Sequence, residues 1–197
     1  MICALVLAAG ESRRMGTPKL LLPFGDKTII EHIVDNINQS EADKILVVLG
    51  SHREEIQNKL ADRPVLTVVN HLYREGMLSS IQIGFGALPK DTAAALVCLG
   101  DQPFIPFSVI DDLIEVYQKT KRGIVLPVYQ KKRGHPLLID IKHKQEVLNL
   151  SPDIGLRALV HKYPQDVQEA EVDTPHILKD IDKPEDYARE LKIKEEE

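Results

Sequence analysis

Five apolar, β-branched-rich runs punctuate the first 129 residues, at 2–7, 44–50, 65–69, 94–99 and 123–129, and each interval between them carries a helical pattern. Short apolar runs of this kind read as buried strands. The intervening helices are expected at 26–39, 53–60, 77–88 and 108–119. In the first, Ile29, Ile30, Ile33, Val34 and Ile37 share one face, and Thr28-x-x-Glu31 has the spacing of a capping box. The third is weakened by Gly84 and Gly86. Ser108 is a candidate cap for the fourth. Strict strand–helix alternation implies an α/β chain. Its expected form is a three-layer α/β/α, Rossmann-like arrangement with a mostly parallel central sheet and right-handed crossovers. Ligands of such sheets gather at the carboxyl ends of the strands. The loops at 10–19, 70–80 and 100–104 therefore matter most.

After Tyr129 the rhythm changes. Residues 130–134 (Gln-Lys-Lys-Arg-Gly) read as a turn, and 135–140 as the strand returning from it. Helices are expected at 144–150 and 154–161, a late strand at 167–172, and a last helix at 184–191 with Pro184 suited to its first turn. The charged tail 192–197 is expected to fray. A length of 197 residues suits one domain. The expected organisation is a single domain over 1–191, with a first half over 1–128 and a second over 129–191.

The formal net charge of −5 argues against a broad nucleic-acid surface, so any basic function must be local. Cys3 and Cys98 both lie in apolar runs and read as small buried hydrophobes rather than a disulfide. The sequence has no signal-peptide pattern and no long apolar span, so a cytoplasmic location is expected and no membrane partner.

The first strand ends in Ala8-Ala9-Gly10, followed by Glu11-Ser12-Arg13-Arg14-Met15-Gly16-Thr17-Pro18-Lys19. Small residues let backbone N–H groups approach a ligand closely. Arg13, Arg14 and Lys19 set cations beside them. The combination describes an anion site, with a polyphosphate as the expected anion. It is not a Walker A loop, because five residues rather than four separate Gly10 from Gly16, and Thr17-Pro18 rather than Lys-Ser/Thr follow. The pattern G-x-G-x-x-G is also absent.

Asp101, in Gly100-Asp101-Gln102-Pro103, ends the fourth apolar run; it either faces the same crevice as a ligand or merely caps a turn before Pro103. A carboxylate beside phosphate oxygens is costly unless a cation binds both, and Mg²⁺ does so with few protein carboxylates and several waters. In Asp180-Ile181-Asp182 the two carboxylates point the same way in an extended segment, and one of them could complete the metal site. Asp182 could equally cap the helix that starts at Pro184. Asn70, Ser79 and Ser80 offer neutral hydrogen bonds for a base or sugar, or merely a helix start. Gly134 and His135 stand at a strand start, where His135 is either structural or, beside Lys131, Lys132 and Arg133, could meet an acidic second substrate. Arg157 could clamp a phosphate or pair with Asp153.

Taken together, these residues resemble the MobA-like nucleotidyltransferases, and within them the molybdenum cofactor cytidylyltransferase branch. The resemblance covers nearly the whole chain. It is carried by Leu7-Ala8-Ala9-Gly10-x-Ser12-x-Arg14-Met15-Gly16-x-x-Lys19, by Asn70, Gly76, Ser79 and Ser80, and by Leu99-Gly100-Asp101-Gln102-Pro103. Gly134-His135-Pro136 and Asp180-Ile181-Asp182-x-Pro184-Glu185-Asp186 are more particular to the branch. The branch's Gly-Asp-x-Gly-Ala-Arg reads here Pro152-Asp153-Ile154-Gly155-Leu156-Arg157.

The resemblance implies a nucleotidyltransferase fold and transfer of CMP from CTP to the terminal phosphate of molybdenum-loaded molybdopterin. Pyrophosphate would leave, and a molybdenum hydroxylase of the xanthine dehydrogenase type would receive the product. Leu7, Ala8, Ala9, Gly10, Ser12, Arg13, Arg14, Gly16, Lys19, Asn70, Ser79, Ser80 and Gly100 would then hold the nucleotide. Gln102, Gly134, His135 and Arg157 would hold the acceptor. Arg14, Lys19 and Asp101 would be catalytic, and Asp101 with Asp182 would carry Mg²⁺. GTP as donor, a sugar or polyol phosphate as acceptor, and a non-catalytic cofactor carrier stay open as alternatives.

Overall fold

The computed structural model describes residues 1–152 and 154–196. Its elements run β1 (Ile2–Ala8), β2 (Pro23–Phe24), β3 (Lys27–Thr28), α1 (Ile29–Ile37), β4 (Lys44–Leu49), α2 (Arg53–Lys59), β5 (Val65–Val69), α3 (Met77–Ala87), β6 (Ala94–Leu99) and α4 (Phe107–Thr120). There follow β7 (Ile124–Tyr129), β8 (Lys132–Arg133), β9 (Leu137–Asp140), α5 (Lys144–Leu148), α6 (Arg157–Lys162), β10 (Val167–Glu171) and α7 (Pro184–Glu196).

The main sheet has the order β10-β7-β9-β6-β1-β4-β5, with β8 appended to β7. β1 pairs in parallel with β4 and β6, β4 with β5, and β7 with β10. β9 is antiparallel to both of its neighbours. The mostly parallel sheet is as expected, but β7 does not lie beside β6. β9 is inserted between them, because β7 folds back through the β8 hairpin and returns along its own edge.

Alternate residues of β1 feed two cores, as the two-residue period of a strand requires. Ala4 and Val6 pack with α1, α2 and α4, joined by Tyr187 and Leu191 of α7. Cys3 and Leu5 pack on the other face with α3, α5 and α6. This is the three-layer arrangement. Both cysteines are free and buried, as expected, and desolvation pushes the Cys3 thiol up to about 11. No helix among the described residues is long and apolar enough to cross a membrane.

Several boundaries moved. Helix α1 starts at Ile29 rather than residue 26, because Pro23–Phe24 and Lys27–Thr28 form a two-residue hairpin around Gly25, whose φ is 71°. The capping box is present: Glu31 accepts from the Thr28 N–H at 2.8 Å and from its hydroxyl at 2.6 Å. Pro106, not Ser108, occupies the cap position of α4. The last helix continues past residue 191 to Glu196 instead of ending in a frayed tail. Residue 197 lies outside the described residues.

Candidate active site

Parallel pairing brings the carboxyl ends of β1, β5 and β6 to one edge of the sheet, and a cleft of about 360 Å³ opens there. Two glycines make room for it. A Cβ on Gly100, at the end of β6, would lie 2.5 Å from the Leu7 carbonyl oxygen of β1. A Cβ on Gly50, at the end of β4, would lie 2.6 Å from the Ala9 oxygen and 2.8 Å from the Tyr73 Cβ. The three chain segments therefore meet closely around the end of β1.

The loop after β1 is a tight curl. Ser12 has φ of 54° and Gly16 φ of 69°, both left-handed. The Ser12 carbonyl accepts from the N–H groups of Met15 at 2.9 Å and Gly16 at 3.2 Å. Its hydroxyl accepts from the Lys19 N–H at 3.1 Å, and Met15 is buried beneath. Ser12 thus braces the loop with its hydroxyl. Gly10 has no atom within 4 Å of a would-be Cβ and opens onto the cleft.

Each cation of this loop meets a carboxylate. Arg13 pairs with Glu11 at 2.6 Å, and Arg14 with Asp182 at 2.7 Å. Lys19 Nζ lies 2.7 Å from Asp101 Oδ2, 3.4 Å from Asp182 Oδ1 and 2.9 Å from the Ile181 carbonyl oxygen. The Lys19 side chain is 14% exposed, against 76% for Arg13 and 66% for Arg14. The Ile181 N–H donates to the Asp101 carbonyl at 2.9 Å, which fixes the C-terminal segment against the end of β6. Asp182 does not cap α7. The Asp186 carboxylate accepts from the N–H groups of Asp182 and Lys183 instead, leaving the Asp182 carboxylate for the cleft. Asp180 is its acidic neighbour: desolvation, then the charges of Asp182 and Asp101, push its carboxyl above the usual range.

Not every expected site residue faces the cleft. Leu7, Ala9 and Gly100 line it, whereas Ala8 is packed in the core. Asn70 is fully buried. Its amide donates to Ser79 Oγ at 2.9 Å and Ser80 Oγ at 3.0 Å, and its oxygen accepts from the Leu72 N–H at 2.8 Å. Asn70 therefore holds the start of α3 rather than offering bonds to a ligand. Ser79 is turned to the Leu72 and Gly76 carbonyls. Ser80 alone of the three reaches the cleft. Gln102 is buried away from it, in a separate cavity of about 20 Å³ beside Asn36 and Pro136.

Gly134 serves packing: a Cβ there would lie 2.3 Å from the Ile177 carbonyl oxygen, and the neighbouring His135 N–H donates to that oxygen at 3.1 Å. The His135–Pro136 peptide is cis. Burial pushes the His135 imidazole below its ordinary range; the Asp101 charge opposes this and the Arg157 charge adds to it. His135 thus feels the charges of both Asp101 and Arg157, and Arg157 is exposed at the start of α6. The alternative partner of Arg157, Asp153, lies outside the described residues.

Glu11, Tyr73 and Met77 line the cleft and Gly50 packs against two of its lining residues, Ala9 and Tyr73, but none of the four was singled out by sequence reasoning. Glu11 also reaches Arg74 at 3.4 Å, linking the first loop to the turn before α3. A glycine closing an apolar strand was the one available signal for Gly50.

The arrangement suits a polyphosphate: exposed arginines, a loop of small residues, and a lysine held at the mouth of the sheet. Asp101 and Asp182 converge on one ammonium, so both lie within reach of a single cation. Among the described residues no group of three or more metal-ligating side chains forms. Two carboxylates fit a hard divalent ion that completes its shell with water and substrate phosphates.

Comparison with known proteins agrees with this geometry. Residues 4–167 match the model of the MobA-like NTP transferase domain. The chain is 26% identical over 187 residues to the molybdenum cofactor cytidylyltransferase of Escherichia coli K12, covering 94% of this chain and 93% of that protein. It is 28% identical over 172 residues to the nicotine blue oxidoreductase of Paenarthrobacter nicotinovorans, covering 83% of each. The crystal structure of Rv0371c from Mycobacterium tuberculosis H37Rv superposes with a TM-score of 0.86 at 30% identity, covering 97% of both chains. A second Rv0371c structure, in complex with manganese, superposes with a TM-score of 0.82 at 28% identity, covering 97% of this chain and 98% of that one. The charged cleft at the mouth of a mostly parallel sheet and the extent of the family match lead to one conclusion: the chain belongs to the MobA-like NTP transferase family and is a nucleotidyltransferase.

Proposed function

We propose that the protein transfers CMP from CTP to the terminal phosphate of molybdenum-loaded molybdopterin, releasing pyrophosphate and forming molybdopterin cytosine dinucleotide. The observation that carries the reading is the junction of Lys19, Asp101 and Asp182 beside the small-residue loop. The choice of substrates is supported by the similarity to the E. coli cytidylyltransferase along nearly the whole chain.

The nucleophile in this reaction is already an anionic phosphate, so no protein base is needed. An oxygen of the acceptor phosphate bonds to the α-phosphorus, and the bond from that phosphorus to the bridging oxygen breaks. The electron pair leaves with pyrophosphate. The protein's task is to align two anions and offset the charge that grows on the leaving group. In this reading the loop around Ala9 and Gly10 receives the triphosphate through backbone N–H groups, while the Gly16 N–H, spent on the Ser12 carbonyl, holds the loop's curl. Arg13, Arg14 and Lys19 hold the β- and γ-phosphates and the departing pyrophosphate. Asp101 and Asp182 would hold a divalent cation, proposed as Mg²⁺, which would supply positive charge against the charge that grows on the phosphates. In this reading His135, within the electrostatic reach of both Asp101 and Arg157, marks the acceptor side together with Arg157. A molybdenum hydroxylase is the proposed recipient of the product.

The test is pyrophosphate release with Mg²⁺ and molybdenum-loaded molybdopterin, comparing CTP, GTP, ATP and UTP. Release with CTP alone supports the reading. Release with GTP alone reassigns the base. Release with CTP only when a sugar or polyol phosphate replaces molybdopterin reassigns the acceptor. Absence of pyrophosphate under every pairing, from folded protein that binds nucleotide, overturns the proposed reaction and favours a cofactor carrier.

A further inference from the structure

The cations that should greet a triphosphate are all engaged within the protein. Arg13 is on Glu11, Arg14 on Asp182, and Lys19 on Asp101 and Asp182. Arg13 and Arg14 are exposed, and exposed ion pairs are weak and readily exchanged. Lys19 is different. Its ammonium has three N–H donors, and Asp101, Asp182 and the Ile181 carbonyl supply three acceptors within 3.4 Å. It is the most buried of the three cations, and it sits on the same two carboxylates that a divalent cation would need.

We propose that Lys19 is the resident counter-ion of Asp101 and Asp182, and that a divalent cation gains these carboxylates only when a nucleoside triphosphate draws Lys19 away. The proposal rests on the reading that Asp101 and Asp182 hold the cation, and adds an order to it: cation and nucleotide are taken up together.

Three features of the structure carry this. First, both Asp182 oxygens are engaged, Oδ1 by Lys19 and Oδ2 by Arg14, so a cation arriving alone meets two positive groups already on one of its ligands. Like charges a few ångströms apart in a partly buried site repel strongly. Second, the acceptors that could relieve both groups are those a triphosphate brings, and the loop that presents them is already curled. Third, Lys19 can leave by a side-chain movement alone, as can the exposed Arg14. The Lys19 backbone is held by the N–H donated to Ser12 Oγ, while its four-carbon stem lets the ammonium reach more than one partner. Lys19 thus protects a pair of carboxylates from facing each other uncompensated while the site is empty of nucleotide. It becomes a phosphate ligand when the nucleotide brings replacement charge.

The test is Mn²⁺ binding by the 197-residue chain, read from the electron paramagnetic resonance signal of free Mn²⁺, with and without α,β-methylene-CTP, each measured against the same solution without protein. The wild-type protein should bind Mn²⁺ weakly alone and about tenfold or more tighter with the analogue. Lys19→Met should bind Mn²⁺ about tenfold or more tighter than wild type without any nucleotide, and Lys19→Arg, which keeps the charge, should stay weak. In parallel, Mn²⁺ should raise the melting temperature of Lys19→Met and leave that of wild type unchanged. If Lys19→Met fails to fold, Lys19→Gln is read the same way.

Tight Mn²⁺ binding by wild type without nucleotide overturns the proposal while the carboxylates keep their role. So does a Lys19→Met protein that binds no tighter than wild type while the analogue still recruits Mn²⁺ to wild type. If wild type with analogue and both uncharged variants all fail to bind Mn²⁺, the assignment of a cation to Asp101 and Asp182 itself falls, and the exchange falls with it.

Discussion

Replacing Gly100 by alanine tests whether the end of β6 must touch the end of β1 for Asp101 to be in place. The added Cβ would lie 2.5 Å from the Leu7 carbonyl oxygen, where real Cβ contacts do not fall below 3.0 Å. Leu7 cannot yield, since β1 is paired on both sides, with β4 and with β6. The Gly100–Asp101 turn must therefore lift by about 0.5 Å, which stretches the Gly100 N–H to Leu7 carbonyl bond of 3.1 Å. Asp101, the next residue, is drawn from Lys19 and from the Ile181 N–H. Overpacking at a rigid contact costs about 1–3 kcal/mol of stability. Catalytic groups tolerate displacements of only about 0.5 Å, and about 1 Å can cost roughly 10²-fold, so kcat should fall about 10- to 100-fold. The assay is initial-rate pyrophosphate release at saturating substrates, beside urea unfolding of the same preparation. A Gly100→Ala protein destabilised by the expected amount but with kcat within about twofold of wild type would refute the reasoning. Asp101 would then not depend on that contact for its place.

Three further outcomes follow from other parts of the molecule. Asp35 receives Arg63 in a two-pronged pair at 2.7 and 3.0 Å, and this pairing, with Lys27, holds its carboxyl below the usual range. Its stabilisation is present above its unfolded pKa and lost as pH falls through the lower folded value. Asp35→Asn should therefore cost about 1–2 kcal/mol at pH 7, a deficit that shrinks below about pH 4, as measured by urea unfolding across pH. His135 has the opposite charge type. Burial favours its neutral form, so the unfolded chain binds more protons, and wild type should lose stability as pH falls through about 6.5 where His135→Gln does not. In α3, Gly86 has no atom within 4 Å of a would-be Cβ, whereas one on Gly84 would lie 2.4 Å from Leu5 Cδ1. Gly86→Ala should stabilise by about 0.5–1 kcal/mol and Gly84→Ala destabilise by about 1–3 kcal/mol, and thermal melts that move both in the same direction would contradict the packing described here.

The layers of the fold were legible because they rest on local periodicity. Ile29, Ile30, Ile33, Val34 and Ile37 announce a helix face wherever that helix packs, and the five apolar runs announce strands. Partner choice is another matter. The run 137–140 says nothing about lying between β6 and β7, since its pairing is decided by a hairpin at 132–133 and by which sheet edge is free. Caps were misread for a related reason. Asp182 and Ser108 both have side chains suited to capping, but from inside α7 the Asp186 carboxylate reaches back to the N–H groups of Asp182 and Lys183, and Pro106 holds the cap position of α4. Asn70 shows the same limit in the site. A polar residue after a strand can face a ligand or secure a turn, and only the hydrogen bonds to Ser79, Ser80 and Leu72 decide between them.

The site's dependence on distant contacts also locates what the shared family core leaves to the rest of the chain. Residues 4–167 contain the curled loop, Lys19 and Asp101, but not Asp182. Asp182 is brought in by a segment that returns across the carboxyl edge of the sheet and is pinned at both ends. At one end the Ile177 carbonyl accepts from the His135 N–H, where Gly134 leaves room for it; at the other the buried Ile181 donates to the Asp101 carbonyl. Helix α7 then ties back to the start of the chain through the Tyr187 hydroxyl on the Pro23 carbonyl at 2.5 Å. The same backbone contacts that seat Asp182 run beside His135. The position of Asp182 and the surroundings of His135 are thus set by one segment. A change in that segment around His135 would also move the carboxylate that shares Lys19 with Asp101.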